Sequence, residues 1–313
     1  MPTKLSVSLS PHVRGELSTQ GIMLRVFIAL LPAALMGVYA FGGQALWTLI
    51  LSTASAVLAE ALAQKLLKRP VTAFHDGSAA VTGLLLGLCL PPAVPWYLAV
   101  VGSAFAVVIA KQVFGGLGSN FVNPALAGRA FLLACWPAAM TTFIGIDGQT
   151  GATPLAYLQS PTDLAAAFGE NWRLDAFLGR VPGTIGEVST LALLLGAAFL
   201  LISRIIDWRI PLSYLASLGV LSVIAGVELS ASLLLGGVVL SAFFMATDYV
   251  TSPASSWGKI VFGLGCGVVN FVIRQWGAYP EGVTYAILLM NVCSPLIERA
   301  TRPKKYGEVK ARA

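Results

Sequence analysis

The sequence predicts an all-α integral membrane protein of about ten transmembrane helices, laid out as two inverted five-helix repeats with two short or broken spans. Composition is the first reason. Of 313 residues, 57% are hydrophobic and 11% charged, against about a quarter charged in a soluble domain, and the mean hydropathy is +0.80. The second is a series of apolar runs near the length that crosses a bilayer, roughly 20 helical residues. The third is the lopsided placement of Lys and Arg around those runs.

The runs follow in order. The first half, 22–140, holds runs at about 22–42, 45–66, 78–92, 95–113 and 121–140; the second, 185–298, holds runs at about 185–203, 209–227, 230–246, 256–273 and 282–298. Gly, Pro or charge flanks each of them. The runs at 78–92 and 230–246 are short and contain or adjoin helix breakers: Pro91 and Pro92, Gly236 and Gly237, and Ser252-Pro253. Short, interrupted spans at matching places in two halves point to a central site, although ordinary spans with loose ends would look the same. Leu84-Leu85-Leu86-Gly87 and Leu233-Leu234-Leu235-Gly236 occupy matching places too. Five spans on each side of a long loop make the second half inverted relative to the first.

Orientation comes from the basic residues. With the N-terminal segment 1–21 inside, the inner side collects Lys4, Arg14, Arg25, Lys65, Lys68, Arg69, Lys111, Arg204, Arg209, Lys259 and a basic cytoplasmic tail at 299–313, while the outer side keeps Arg173, Arg180 and Arg274. This is the distribution expected of a protein with both termini in the cytoplasm. The net charge of +6 therefore reflects orientation and not nucleic acid, since no exposed basic patch appears. The surrounding partner is lipid. About twenty polar and mixed residues precede the first run and no small-residue cleavage site follows it, so the first span is expected to stay. Cys89, Cys135, Cys266 and Cys293 lie in apolar stretches without ligand spacing and read as small core residues, not metal ligands or disulfides.

The loop at 141–184 falls outside and carries Asp147-Gly148-Gln149-Thr150-Gly151-Ala152-Thr153. Asp, Gly and Thr favour turns and extended backbone, which would leave Thr153 accessible to a modifying enzyme. The run resembles the Asp-Gly-x-Ser/Thr-Gly/Ala-Ala-Thr sequence in which a flavin transferase esterifies the last Thr with the phosphate of FMN, and every fixed position is filled. The alternative is a simple connecting loop.

A second resemblance covers nearly the whole chain. Leu90-Pro91-Pro92, Pro95-Trp96, Val113-Phe114-Gly115-Gly116 and the stretch from Asn120-Phe121-Val122-Asn123-Pro124 to Gly128-Arg129-Ala130-Phe131 are similar to the NqrB/RnfD family. That family comprises the D subunit of the Rnf ion-translocating ferredoxin:NAD oxidoreductase and the B subunit of the sodium-translocating NADH:quinone reductase. Ser10-Pro11-His12 and Phe244-Met245-Ala246-Thr247-Asp248 followed by Thr251-Ser252-Pro253 match further signatures, with Tyr249 where the family usually has Pro. Lacking a long N-terminal extension, the chain looks more like the Rnf protein.

Asn120 and Asn123 lie three apart at the start of the fifth span, where Pro124 suits a first helical turn. One helix face can present two amides, each able to donate and accept as an isoalloxazine edge requires. The resemblance implies a noncovalent riboflavin there; an Asn at a helix start is more ordinarily a cap, and Asn123 can cap while Asn120 binds. Arg129, inside the same span, needs a partner or a cavity, either a carboxylate or a flavin. Glu60 sits within the second span, and Asp76 and Asp248 flank the two short spans from the inner side. Carboxylates near broken helices can coordinate Na⁺ or relay H⁺, and at an interface they can equally be solvated.

No Ser-His-Asp set, metal cluster or nucleotide loop appears, which leaves electron relay as the chemistry. The resemblance implies one component, not active alone, of an inner-membrane Rnf complex whose A, B, C, E and G subunits are its partners. It would carry FMN on Thr153 and riboflavin in the membrane, and couple electron transfer to Na⁺ or H⁺ movement. The rival reading is a flavin-free solute channel or transporter of the urea-channel kind, which the five-plus-five plan alone would fit.

Overall fold

A computed structural model describes residues 18–144, 150–151, 154–157, 161–277 and 281–302. The chain is almost entirely helical. Thr19–Phe41 (α1) starts on Ser18, whose Oγ accepts the Gly21 amide at 3.1 Å. It turns straight into Gly43–Leu66 (α2) through Gly42, which holds a φ of +67° that a side chain would resist. Ser78–Leu88 (α3) follows, then Trp96–Val107 (α4), which widens into a π turn over Val108–Gln112. Pro124–Cys135 (α5) comes next.

The expected single span at 121–140 stops at Trp136 and restarts as Pro137–Thr141 (α6), because Pro137 has no amide proton and disfavours helix at the residue before it. The region expected as a plain loop, 141–184, is more structured than that. It contains a two-residue antiparallel strand pair, Phe143–Ile144 (β1) with Thr150–Gly151 (β2), a 3₁₀ turn at Pro154–Tyr157, and helices Pro161–Phe168 (α7) and Trp172–Leu178 (α8). Leu155, Leu164, Trp172 and Ala176 bury themselves there against Ala231 and Leu235, and that small satellite core is what a loop reading misses.

The second half runs through Thr190–Ile202 (α9), Arg209–Ile224 (α10), Leu229–Leu234 (α11), Val238–Leu240 (α12) with a π turn over Ser241–Met245, Ser256–Trp276 (α13) and Val283–Thr301 (α14). Gly236 and Gly237, at φ +72° and +66°, break the run between α11 and α12. Both expected short spans are thus short: α3 has 11 residues, roughly 16 Å at 1.5 Å per residue, about half a hydrocarbon core.

Among the described residues, three helices (α1, α2 and α13) are long and apolar enough to cross a membrane, and α3, α5, α9, α10 and α4 with its π turn are shorter and apolar. The outer faces are apolar, with Leu35, Trp47, Leu58, Ile202, Ile224 and Leu296 exposed, whereas Glu60, Lys111, Arg129 and Asn270 are buried. That inversion of the soluble pattern marks a membrane-embedded bundle. Helix α2 packs on α3 and α4, α10 on α13, α4 on α5 and α13 on α14, while α1 meets α9 and α5 meets α14. Small residues permit the close crossings: a Cβ on Gly83 would stand 2.6 Å from the Ser52 carbonyl oxygen, and one on Gly263 2.6 Å from that of Ile210. Cys89 and Cys266 are buried in the core as expected. Cys135 is exposed and Cys293 half-buried, so these two are not core residues: their helix faces look outward from the bundle.

Candidate functional site

Lys and Arg gather at one end of the bundle, the basic face, where the starts of α3, α5 and α13 lie with the ends of α2, α4, α9 and α14. A cavity of about 110 Å³ lies there between the two halves. Val26, Leu85, Phe243 and Phe244 make its walls apolar, and Lys111, Asn120, Asn123, Thr247 and Asp248 give it a polar rim. Each of the two π turns brings residues to it, Lys111 from one and Phe243 and Phe244 from the other. π turns recur at functional sites because they re-aim side chains without ending a helix.

The two asparagines have separate duties. Asn123 Oδ1 accepts the Ala125 and Leu126 amides at 3.0 and 3.3 Å, a helix cap, while its Nδ2 donates to the Met245 carbonyl at 3.2 Å. Asn120 is buried and donates from Nδ2 to the Val122 carbonyl at 3.2 Å. Asp248 accepts from Thr251 Oγ1 at 3.1 Å, and its carbonyl accepts the Ser252 hydroxyl at 2.7 Å. The structure thus places Asp248, from the second half, on the same cavity as Asn120 and Asn123 from the first, a grouping not legible in the sequence.

The other two acidic candidates form a network beside this cavity. Glu60 is fully buried and pairs with Lys111 Nζ at 2.8 Å; Gln112 Nε2 donates to it at 2.7 Å and Gln64 Nε2 at 3.4 Å. Lys111 also donates to Ser78 Oγ at 2.6 Å, and Ser78 in turn donates from its hydroxyl and amide to Asp76 Oδ1 at 2.9 and 3.0 Å. Asp76, just before the cap position at Gly77, therefore holds the first residue of α3. Sequence reasoning counted Lys111 only toward membrane orientation and passed over Gln64 and Gln112, because a Lys at the end of a span carries no signal of what lies beside it.

At the opposite end, Arg129 pairs with Glu281, a carboxylate at the start of α14, so of the two partners open to it the structure supplies the carboxylate. Arg274 donates to the carbonyls of Ser232 and Leu235, each at 2.8 Å, and of Gly236 at 3.3 Å, satisfying backbone freed by the helix break. Asp147, Gly148, Ala152 and Thr153 lie outside the described residues. Thr150 and Gly151 form β2, paired with Ile144 and Phe143. Leu155, two positions beyond Thr153, is buried and lines a small pocket with Glu187, Gly236 and Glu281. Among the described residues, no group of three or more His, Cys, Asp or Glu is placed to hold a metal.

The family's sequence model matches residues 6–307. The chain belongs to the NQR2, RnfD, RnfE family. Members of that family similar to it include the D subunit of the Na⁺-translocating ferredoxin:NAD⁺ oxidoreductase complex of Acetobacterium woodii, 49% identical over 98% of this chain and 96% of the relative. The D subunit of the proton-translocating ferredoxin:NAD⁺ oxidoreductase complex of Clostridium ljungdahlii is 44% identical over 96% of each chain. The D subunit of the ion-translocating oxidoreductase complex of Stutzerimonas stutzeri is 43% identical over 93% of this chain and 92% of the relative. Within this family, similar identities go with names for either ion.

Proposed function

We propose that this chain is the membrane electron-relay component of an Rnf-type ferredoxin:NAD oxidoreductase, with FMN esterified to Thr153 and riboflavin held noncovalently in the cavity at Asn120. The near full-length match to D subunits supports the assignment to the complex, and the complete Asp147–Thr153 motif supports the covalent flavin. Bound flavins would supply the electron-carrying chemistry. The chain's own residues bind and position. Apolar walls suit the faces of a flat ring, and the rim of amide, ammonium, hydroxyl and carboxylate suits its hydrogen-bonding edge. Asn123, occupied as a cap and a strap, shapes the site, and Asn120 is the amide closer to a binding role.

The packing supports the inverted five-plus-five layout: α1 meets its counterpart α9, α5 meets α14, and the α2–α4 and α4–α5 contacts are mirrored by α10–α13 and α13–α14. In this reading the basic face is cytoplasmic and the Thr153 loop lies on the outer side of the inner membrane, where a flavin transferase reaches it. The A, B, C, E and G subunits complete the assembly, and Asp248, Asp76 and Glu60 line the Na⁺ or H⁺ route. In-gel flavin fluorescence tests the covalent site: the denatured chain should glow under ultraviolet light and Thr153→Ala should not, while folding normally. Fluorescence persisting in that variant would overturn the assignment.

A further inference from the structure

Lys111 stands between two spaces. On one side is the cavity, which it lines together with Ser78, Asn120 and Asp248. On the other is an open vestibule on the basic face, lined by Glu60, Gln64, Asp76 and Gln112. The bonds from Lys111 Nζ to Glu60 at 2.8 Å and to Ser78 at 2.6 Å close the wall between them. Both charges are buried, with Lys111 2% and Glu60 0% exposed, so neither can lose its partner without a replacement charge.

We propose that Lys111 is the gate between vestibule and cavity, a tethered cation that occupies an oxygen cage at Glu60 and Ser78 and yields it to the translocated monovalent cation. The reason is the chemistry of the cage. A carboxylate and a hydroxyl are hard oxygen ligands that suit an ammonium or a sodium ion, and a proton on Glu60 would equally discharge the pair. Either way the entering charge neutralises Glu60, and Lys111 leaves with its own charge intact. It has somewhere to go: Asp248 lines the same cavity. The second half places a cation at the corresponding point, Arg274 near the end of α13, but that one donates to backbone carbonyls where Lys111 bonds a carboxylate. The exchangeable member is Lys111.

This inference rests on the ion-translocating reading, and its test separates the two. Thr82→Cys puts a thiol on the cavity wall, with Val81→Cys as the substitute if that variant fails to assemble. In the purified complex, labelling of residue 82 by a small cationic thiol reagent is followed by mass spectrometry, in otherwise unaltered and Glu60→Gln backgrounds. NaCl is compared with choline chloride at fixed pH, and pH is varied at fixed salt. If Na⁺ opens the gate, labelling rises at least fivefold with Na⁺, and Glu60→Gln abolishes the rise. If the proton opens it, the ratio between the two backgrounds changes with pH and ignores Na⁺. A static ion pair gives a ratio flat in both, and a flat ratio in a complex that still moves ions across vesicles overturns the gate alone. A complex that moves neither ion removes the reading beneath it, and the gate with it.

Discussion

Asn123 and Met245 join the halves of the protein: the Asn123 amide nitrogen donates to the Met245 carbonyl at 3.2 Å across 122 positions of sequence. The carbonyl belongs to the π turn that ends the second broken span, and the asparagine begins α5. Losing the cap costs about 0.5–2 kcal/mol and frees a buried carbonyl besides. Asn123→Ala should therefore lower the Tm of the complex clearly. Asn120→Leu should change Tm less and reduce noncovalent riboflavin roughly five- to a hundredfold in affinity, the loss of about 1–3 kcal/mol of hydrogen bonding. Equal riboflavin content in Asn120→Leu and unaltered complexes would remove Asn120 from the site.

Lys111→Met leaves Glu60 buried without its counterion. Breaking such a pair costs about 3–5 kcal/mol, whereas replacing both members by neutral groups can be close to harmless. The double variant Glu60→Gln/Lys111→Met should thus be more stable than Lys111→Met alone. Thermal unfolding of the two, side by side, checks the order.

Asp248→Asn keeps the size and hydrogen bonding of the side chain and removes its charge. With both flavins still bound, ion transport and coupled electron transfer should slow. Normal pumping by the fully flavinylated variant would reduce Asp248 to an anchor for the Thr251–Ser252 turn, a role its hydrogen bonds already supply.

Sidedness is testable without chemistry on flavin. A cysteine at Gln149 should react with a membrane-impermeant thiol reagent added outside spheroplasts. Reaction from the cytoplasmic side alone would invert the topology.

On the basic face, Asp207 sits in the turn between α9 and α10. Burial by itself would raise its pKa, but the hydrogen bond from Lys259 at 3.0 Å, a backbone bond from Arg209 and the charges of both hold it below the ordinary value. A depressed folded pKa gives stability that is present above the unfolded value, about 3.9, and is lost as pH falls through the folded one. The acid limb of the stability curve should be shallower in Asp207→Asn, and the effect small because the pair is partly solvated.

Much of this protein is determined by the sequence itself. Hydrophobic run length, helix breakers and the Lys/Arg distribution are local quantities, and they suffice for a helical membrane bundle with two short spans, for the start of α5 at Asn123-Pro124, and for the need of a partner for Arg129. The Asp147–Thr153 motif is likewise read from seven consecutive residues. Other features exist only in three dimensions. That Glu281 is the partner of Arg129 depends on how α5 meets α14, 152 positions apart. That Asp248 shares a cavity with Asn120, and that Glu60 is held by Lys111, depends on helix crossings set by small residues such as Gly83. A sequence shows that a buried charge must be neutralised; only packing decides which distant residue does it, because every helix in a bundle offers several faces and the pairing energy is realised on one.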